Sequence, residues 1–266
     1  MGDLAAPAAF YTPDGDGFAA SELTRGPWDE GSQHAGPPCA LLGRALDHAG
    51  RLEHGQLVRV TYEILRPVPI ARLTTAVEVV RPGRSVELIE GELRHEGEAM
   101  IRARAWRIRT AEVGVDRRPP EPAAMPGPET AAVQSFFPVP WDVGYHTAME
   151  VRFVEGGFVD PGPARAWMRM KVPLIEGEEP APLDRVLAAA DSGNGVSAPL
   201  DYRRFIFINT DLTVNLRRLP EGEWICLDAV TYVEKSGIGL SDSALHDRRG
   251  MIGRATQALL VAERSG

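Results

Sequence analysis

The chain has 266 residues, 44% hydrophobic and 25% charged, with a formal net charge of −8 at pH 7. This is the composition of a soluble globular protein, and its acidic balance argues against nucleic acid or an anionic membrane as the principal partner. No stretch approaches the roughly 18 consecutive apolar residues that a membrane span needs. The start MGDLAAPAAFYTPDGDG lacks the basic residues and apolar run of a secretory signal, so a cytoplasmic protein is expected. Cys39 and Cys226 form neither a metal-ligand spacing nor a disulfide framework.

The first expected helix is PPCALLGRALDHAG, Pro37–Gly50, with proline at its entrance and glycine beyond its exit. His34, Ala35 and Gly36 lead into it. Backbone N–H groups at a helix start suit a developing oxyanion, and Gly36 would let a substrate approach closely. The two prolines that follow lack N–H groups and reduce the supply of donors. His34 could donate to a carbonyl or simply make a local structural bond. Alternating strands come next, with Val58, Val60, Tyr62 and Ile64 in one row and Ala99, Ile101, Ala103 and Ala105 in another. Turns such as RPGRS, Arg81–Ser85, separate them.

Seven prolines then fall within Gly114–Pro140, which excludes a regular helix or central strand. This stretch is read as an extended linker between units at 1–113 and 141–266. The second unit opens with a helical piece, APLDRVLAAADSGNG, Ala181–Gly195, and Asp191 closes its apolar run. A single strand row is expected through Ile208, Thr210, Leu212, Val214 and Leu216. His246 and Asp247, adjacent at a turn, read better as a solvated turn than as an acid–base pair. The last strand, Met251–Glu263, has one face of Met251, Gly253, Ala255, Gln257, Leu259 and Val261, in which Gln257 alone is polar. Left unpaired in a core it would cost about 1–3 kcal/mol, so its partner must be backbone, a side chain or a substrate.

The two units match each other. TYEILR at Thr61 and TVNLRR at Thr213 lie 152 positions apart, and RHEGEAMIRARAW aligns with LHDRRGMIGRATQA at the same offset. Each unit is one helix followed by an antiparallel meander, an α+β layout. A duplicated domain is the natural explanation. Under that offset the counterpart of Gln257 is Ala105, so the strand itself does not require the amide.

GPWDEGSQHAGPPCALLGRAL, VTYEILRPVPI, NTDLTVNLRRLPEGEW and GIGLSDSALHDRRGMIGRATQALLVAE together resemble acyl-CoA thioesterases of the TesB-like type, over most of Phe10–Glu263 outside the linker. The resemblance implies a double hotdog, two tandem sheets each wrapped around a central helix. It implies hydrolysis of acyl-CoA to free acid and coenzyme A, with no metal and no cofactor. An Asp, a Thr or Ser, and a Gln would hold the attacking water. The Asp falls on Asp191 and the Gln on Gln257. The hydroxyl position falls on Asn209, with Thr210 one place later and therefore on the opposite strand face. A carboxylate at a helix C-terminus beside apolar residues suits a general base. His34, Ala35 and Gly36 would meet the substrate. One or two of the arginines at 81, 84, 102, 104, 217 and 218 would touch the coenzyme phosphates, the rest forming the wet face of a sheet. A homodimer or larger homo-oligomer is expected. The alternatives are a hotdog hydratase or dehydratase, for which no histidine with an acidic partner stands out, and a non-catalytic acyl-binding protein.

Overall fold

The structure is a computed structural model that describes residues 8–115, 125–134 and 138–264. A small hairpin, β1 (Tyr11–Asp14) and β2 (Gly17–Ala20), leads to α1 (Gly36–Ala49) and to β3 (Gly55–Ile64), β4 (Arg72–Arg81), β5 (Val86–His95) and β6 (Glu98–Arg109). The second half contains β7 (Ala132–Val133), α2 (Tyr145–Ala148), β8 (Met149–Gly157), β9 (Asp160–Met170), α3 (Pro182–Ala190) and α4 (Gly193–Val196). It ends with β10 (Phe205–Asn209), β11 (Asp211–Leu216), β12 (Ile225–Val233), β13 (Ile238–Asp247) and β14 (Gly250–Glu263).

The strands form one antiparallel sheet in the order β1-β2-β4-β5-β6-β3-β11-β14-β13-β12-β9-β8-β7, with β10 pairing the end of β14. Helix α1 packs on β3–β6, and α3 with α4 packs on β9 and β12–β14. The helix-facing rows are apolar and buried, including Leu57, Val60, Tyr62, Ile89, Ala103 and Ala105 in the first half. Burying such side chains drives the sheet to curl over the helix. Both halves join directly, β3 against β11.

The pairing registers of the first half recur in the second, displaced by 152. Val79 pairs Ile89 as Thr231 pairs Ser241, and Ile89 pairs Ala105 as Ser241 pairs Gln257. The irregularities recur as well. In β3 an extra residue, Val58, lies between Leu57 and Arg59 opposite β6. Between β10 and β11 the four-residue step Asn209 to Thr213 lies opposite the three-residue step Leu259 to Thr256 on β14. Thr210, the counterpart of Val58, occupies this second bulge.

That bulge corrects the expected single row. An extra residue reverses the faces of the strand, so Phe207 and Asn209 share the inward side with Leu212, Val214 and Leu216. Phe207, Leu212, Val214 and Leu216 are buried, whereas Ile208 and Thr210 are exposed. The last strand behaves as read from Gly253 to Val261, with the odd positions buried. The second expected helix breaks at Asp191 and resumes as the short α4.

Two further differences concern the linker and the turn. Residues 116–124 and 135–137 of the proline-rich stretch lie outside the described residues. The described part is not an isolated spacer: β7 pairs β8, Trp167 Nε1 donates to the Pro126 carbonyl at 2.8 Å, and Arg152 donates to the Pro128 carbonyl at 3.1 Å. Its prolines keep it on a sheet edge, where a missing N–H is tolerated. His246 and Asp247 do not form a solvated turn, since both are buried. The Asp247 carboxylate takes both Arg218 Nη groups and the backbone N–H groups of Glu221 and Arg249, a satisfied ionic corner. Cys39 and Cys226 are free, buried thiols.

Candidate active site

Asp191 follows the last residue of α3 and is 5% exposed. The apolar run Leu187–Ala190 buries the helix, so the carboxyl group is carried into the interior and must find donors there. Two amides supply them. Asn209 Nδ2 donates to Asp191 Oδ1 at 2.8 Å, and Gln257 Nε2 donates to the same oxygen at 3.1 Å. Asp191, Asn209 and Gln257, spread over 66 positions of chain, thus meet at one oxygen atom. Thr210 lies on the other side of the bulge and has no such contact, although its residue also borders the cavity described below.

Gln257 is 1% exposed. Besides Oδ1, Nε2 reaches the Asp191 carbonyl at 3.1 Å, while Oε1 accepts the Asn194 N–H at 3.2 Å. The lone amide on the apolar face therefore answers to a side chain and to backbone, clamping the α3–α4 junction. It is not among the residues that line the cavity.

His34 approaches from the first half. Its Nδ1 lies 3.2 Å from Asp191 Oδ2 and 3.0 Å from the Gly36 N–H, and its ring stacks on Tyr145 with centroids 3.8 Å apart. Nδ1 has one lone pair and cannot both accept from Gly36 and donate to Asp191. The Gly36 amide is fixed at the first residue of α1, so it takes the lone pair, and the proton of the neutral ring lies on Nε2. Burial lowers the His34 pKa, opposed by the Asp191 charge, and so favours that neutral ring. Gly36 is buried at the start of α1. A Cβ there would collide with the Ala188 carbonyl oxygen, so the glycine permits α1 and α3 to cross closely. Its N–H is also already bonded to His34. Gly36 and Ala188 are again 152 apart, which makes Cys39 the counterpart of Asp191.

Asp191, Asn209, His34 and Ala35 border a cavity of 530 Å³. Most of its wall is apolar or aromatic, with Trp28, Ile64, Leu65, Val68, Phe158 and Phe207. Such a chamber with a few polar groups at one place is the usual form of a small-molecule site. Arg66 and Arg264 border it, and none of the six arginines singled out in the sequence does. Arg102 and Arg104 instead pair with Glu92 and Glu90 on the outer sheet face, and Arg218 holds Asp247. The approach of His34 to Asp191 was missed by sequence reasoning because the two lie in different halves. The only local signal was the position of His34 just ahead of a helix. Among the described residues no helix is long and apolar enough to cross a membrane, and no cluster of three or more His, Cys, Asp or Glu could hold a metal ion.

A curled antiparallel sheet over buried helices, with a carboxyl group at the wall of an apolar chamber, defines an α+β enzyme of hot dog fold. A hot dog protein of unknown function from Alicyclobacillus acidocaldarius superposes with a TM-score of 0.73 at 17% identity, covering 96% of each chain. A putative thioesterase from Novosphingobium aromaticivorans DSM 12444 gives 0.72 at 20% identity, covering 94% of this chain and 98% of that one. The acyl-CoA thioesterase II TesB2 of Mycobacterium marinum gives 0.66 at 16% identity, covering 88% and 91%. A search of curated proteins finds no match. The N-terminal acyl-CoA thioesterase domain matches residues 24–108 and the C-terminal domain matches residues 119–261. The chain belongs to the acyl-CoA thioesterase family and is a thioester hydrolase.

Proposed function

We propose that the protein hydrolyses acyl-CoA with a water activated by Asp191, without a metal. One observation carries this reading. Asn209 and Gln257 both occupy Oδ1, which leaves Oδ2 on the side of His34, a residue of the cavity wall. Asp191 Oδ2 accepts a proton from water as the water oxygen attacks the thioester carbon. His34 Nε2–H donates to the carbonyl oxygen as it gains negative charge. The tetrahedral intermediate collapses, the carbon–sulfur bond breaks, and the proton held by Asp191 returns to the sulfur of coenzyme A. In this scheme Asn209 and Gln257 are positioning residues that fix the carboxylate. Ala35 borders the acyl chain, and Thr210 plays no part in the chemistry.

The recurring register supports a double hotdog produced by duplication, with units at 1–113 and 141–266. The second unit keeps Asp191, Asn209 and Gln257 where the first has Cys39, Leu57 and Ala105. Free-thiol release from acyl-CoAs of graded chain length tests the function. Release that vanishes in Asp191→Asn supports it. A change in enoyl-CoA absorbance without thiol release would instead make the protein a hydratase, for which the His34–Asp191 pair would be the acid–base couple.

A further inference from the structure

We propose that Arg203, Arg204 and Arg264 form the subsite for the phosphate groups of coenzyme A, at the rim of the cavity that holds Asp191. This rests on the thioesterase reading above. The protein is acidic overall, and most of its described arginines are neutralised, such as Arg44 by Glu178, Arg94 by Glu92 and Arg254 by Asp242. Arg203, Arg204 and Arg264 are exposed and make no ion pair among the described residues. An unneutralised cationic corner on an anionic protein attracts polyanions.

The corner is built rather than loose. Asp201 caps the turn before β10: its carboxylate accepts the Arg203 N–H at 2.9 Å, and its carbonyl accepts the N–H groups of Arg204 and Phe205. Arg264 donates its backbone N–H to the Arg204 carbonyl and its Nε to the Tyr202 carbonyl, both at 2.8 Å. Its two Nη groups remain for an outside acceptor. Arg203 lies over the Tyr202 ring and Arg204 over the Phe205 ring, each at 5.5 Å, which restrains both guanidinium groups. Glu263 pairs Phe205 in register and forms no ion pair among the described residues. Guanidinium groups bind phosphate oxygens in paired hydrogen bonds.

Strand β10 sets the distance. Asn209, which holds Asp191, stands at one end of it, and Arg204 precedes the other end by a single residue. Five residues of strand span roughly 17 Å. A pantetheine arm has about thirteen bonds from sulfur to the nearest phosphorus, the backbone length of roughly four residues, or about 15 Å. A thioester at Asp191 therefore brings the diphosphate and nucleotide 3′-phosphate to this corner. Tyr202 and Arg264 border the same cavity as Asp191, so the path is continuous.

The test compares kcat/KM for an acyl-CoA with that for the matching acyl-pantetheine, which lacks the nucleotide. The ratio is measured in the wild type, in R203Q/R204Q/R264Q, and in R94Q, whose arginine pairs with Glu92. Coenzyme A itself is titrated calorimetrically into each. The triple variant should lower the ratio at least about tenfold and weaken the Kd for coenzyme A by at least as much, with R94Q like the wild type. If circular dichroism shows the triple variant misfolded, R203Q and R204Q alone are read the same way. An unchanged ratio with an unchanged Kd overturns the proposal. If the wild type cleaves no thioester, the hydrolase reading fails and calorimetry decides this subsite alone. Coenzyme A binding that weakens in the triple variant sustains it, and absent or unaltered binding removes it.

Discussion

Thr61 and Thr213 stand opposite each other where β3 meets β11, their hydroxyl oxygens 3.3 Å apart. They are equivalent positions of the two halves. Around them Tyr62 pairs Leu212 and Val60 pairs Val214, so the seam reads the same from either side. One helix from each half then crosses beneath the sheet, and this crossing brings His34 of the first half to Asp191 of the second.

Replacing Asp191 by Asn keeps its size and removes its charge. We expect kcat to fall about 10²- to 10⁴-fold, the range assigned to a lost general base. Thiol release would record the loss, with circular dichroism verifying an unchanged fold. Activity within a few-fold of the wild type would dismiss Asp191 as the base.

Gln257 and Asn209 share an acceptor but differ in burial, so their removal should differ. Gln257→Ala strands the Asn194 N–H and the Asp191 carbonyl in the core and should cost about 1–3 kcal/mol of stability as well as turnover. Asn209→Ala sits at a partly solvated edge of the cavity and should lower kcat with a smaller change in stability. Denaturant midpoints paired with kcat for both variants test the contrast. Equal stability losses would contradict it.

Gly36→Ala places a methyl group where α1 meets the Ala188 carbonyl. The helices must separate, and overpacking of this kind costs about 1–3 kcal/mol. A urea midpoint equal to that of the wild type would show that the crossing has slack.

Burial lowers the pKa of His246, as it does that of His34. The unfolded chain protonates these rings near pH 6.5. As pH falls below that value the unfolded state takes up protons that the folded state refuses, so stability declines until the folded pKa values are reached. Above about pH 6.5 this contribution is fully present. The melting temperature should therefore drop between pH 7.5 and 5, and His246→Gln should flatten the decline. An identical slope in that variant would rule His246 out as a source.

The α+β layout, the 152-residue offset, helix α1 and the buried row of the last strand were legible in the sequence, because each depends on short-range periodicity. The bulge at Thr210 was not. One extra residue leaves alternation intact on either side and changes only the phase, and Ile208 to Leu216 looks unbroken until the partner strand is known. That phase decides whether Asn209 or Thr210 faces Asp191. The role of Gly36 was also hidden, since a glycine that admits a ligand and one that admits a second helix are identical in sequence. Asp191 and Gln257 stood out as a carboxyl group closing an apolar helix and an amide in an apolar row, and the resemblance joined them about one water. That they bond each other directly needed the fold.

Because the bulge and the registers recur, the first half contains the same seat with Cys39, Leu57 and Ala105 in the three places. The asymmetry of this protein thus resides in a handful of side chains hung on a repeated backbone. On the role proposed for Asp191, a second position for the same three groups is already laid out for Cys39→Asp, Leu57→Asn and Ala105→Gln to occupy.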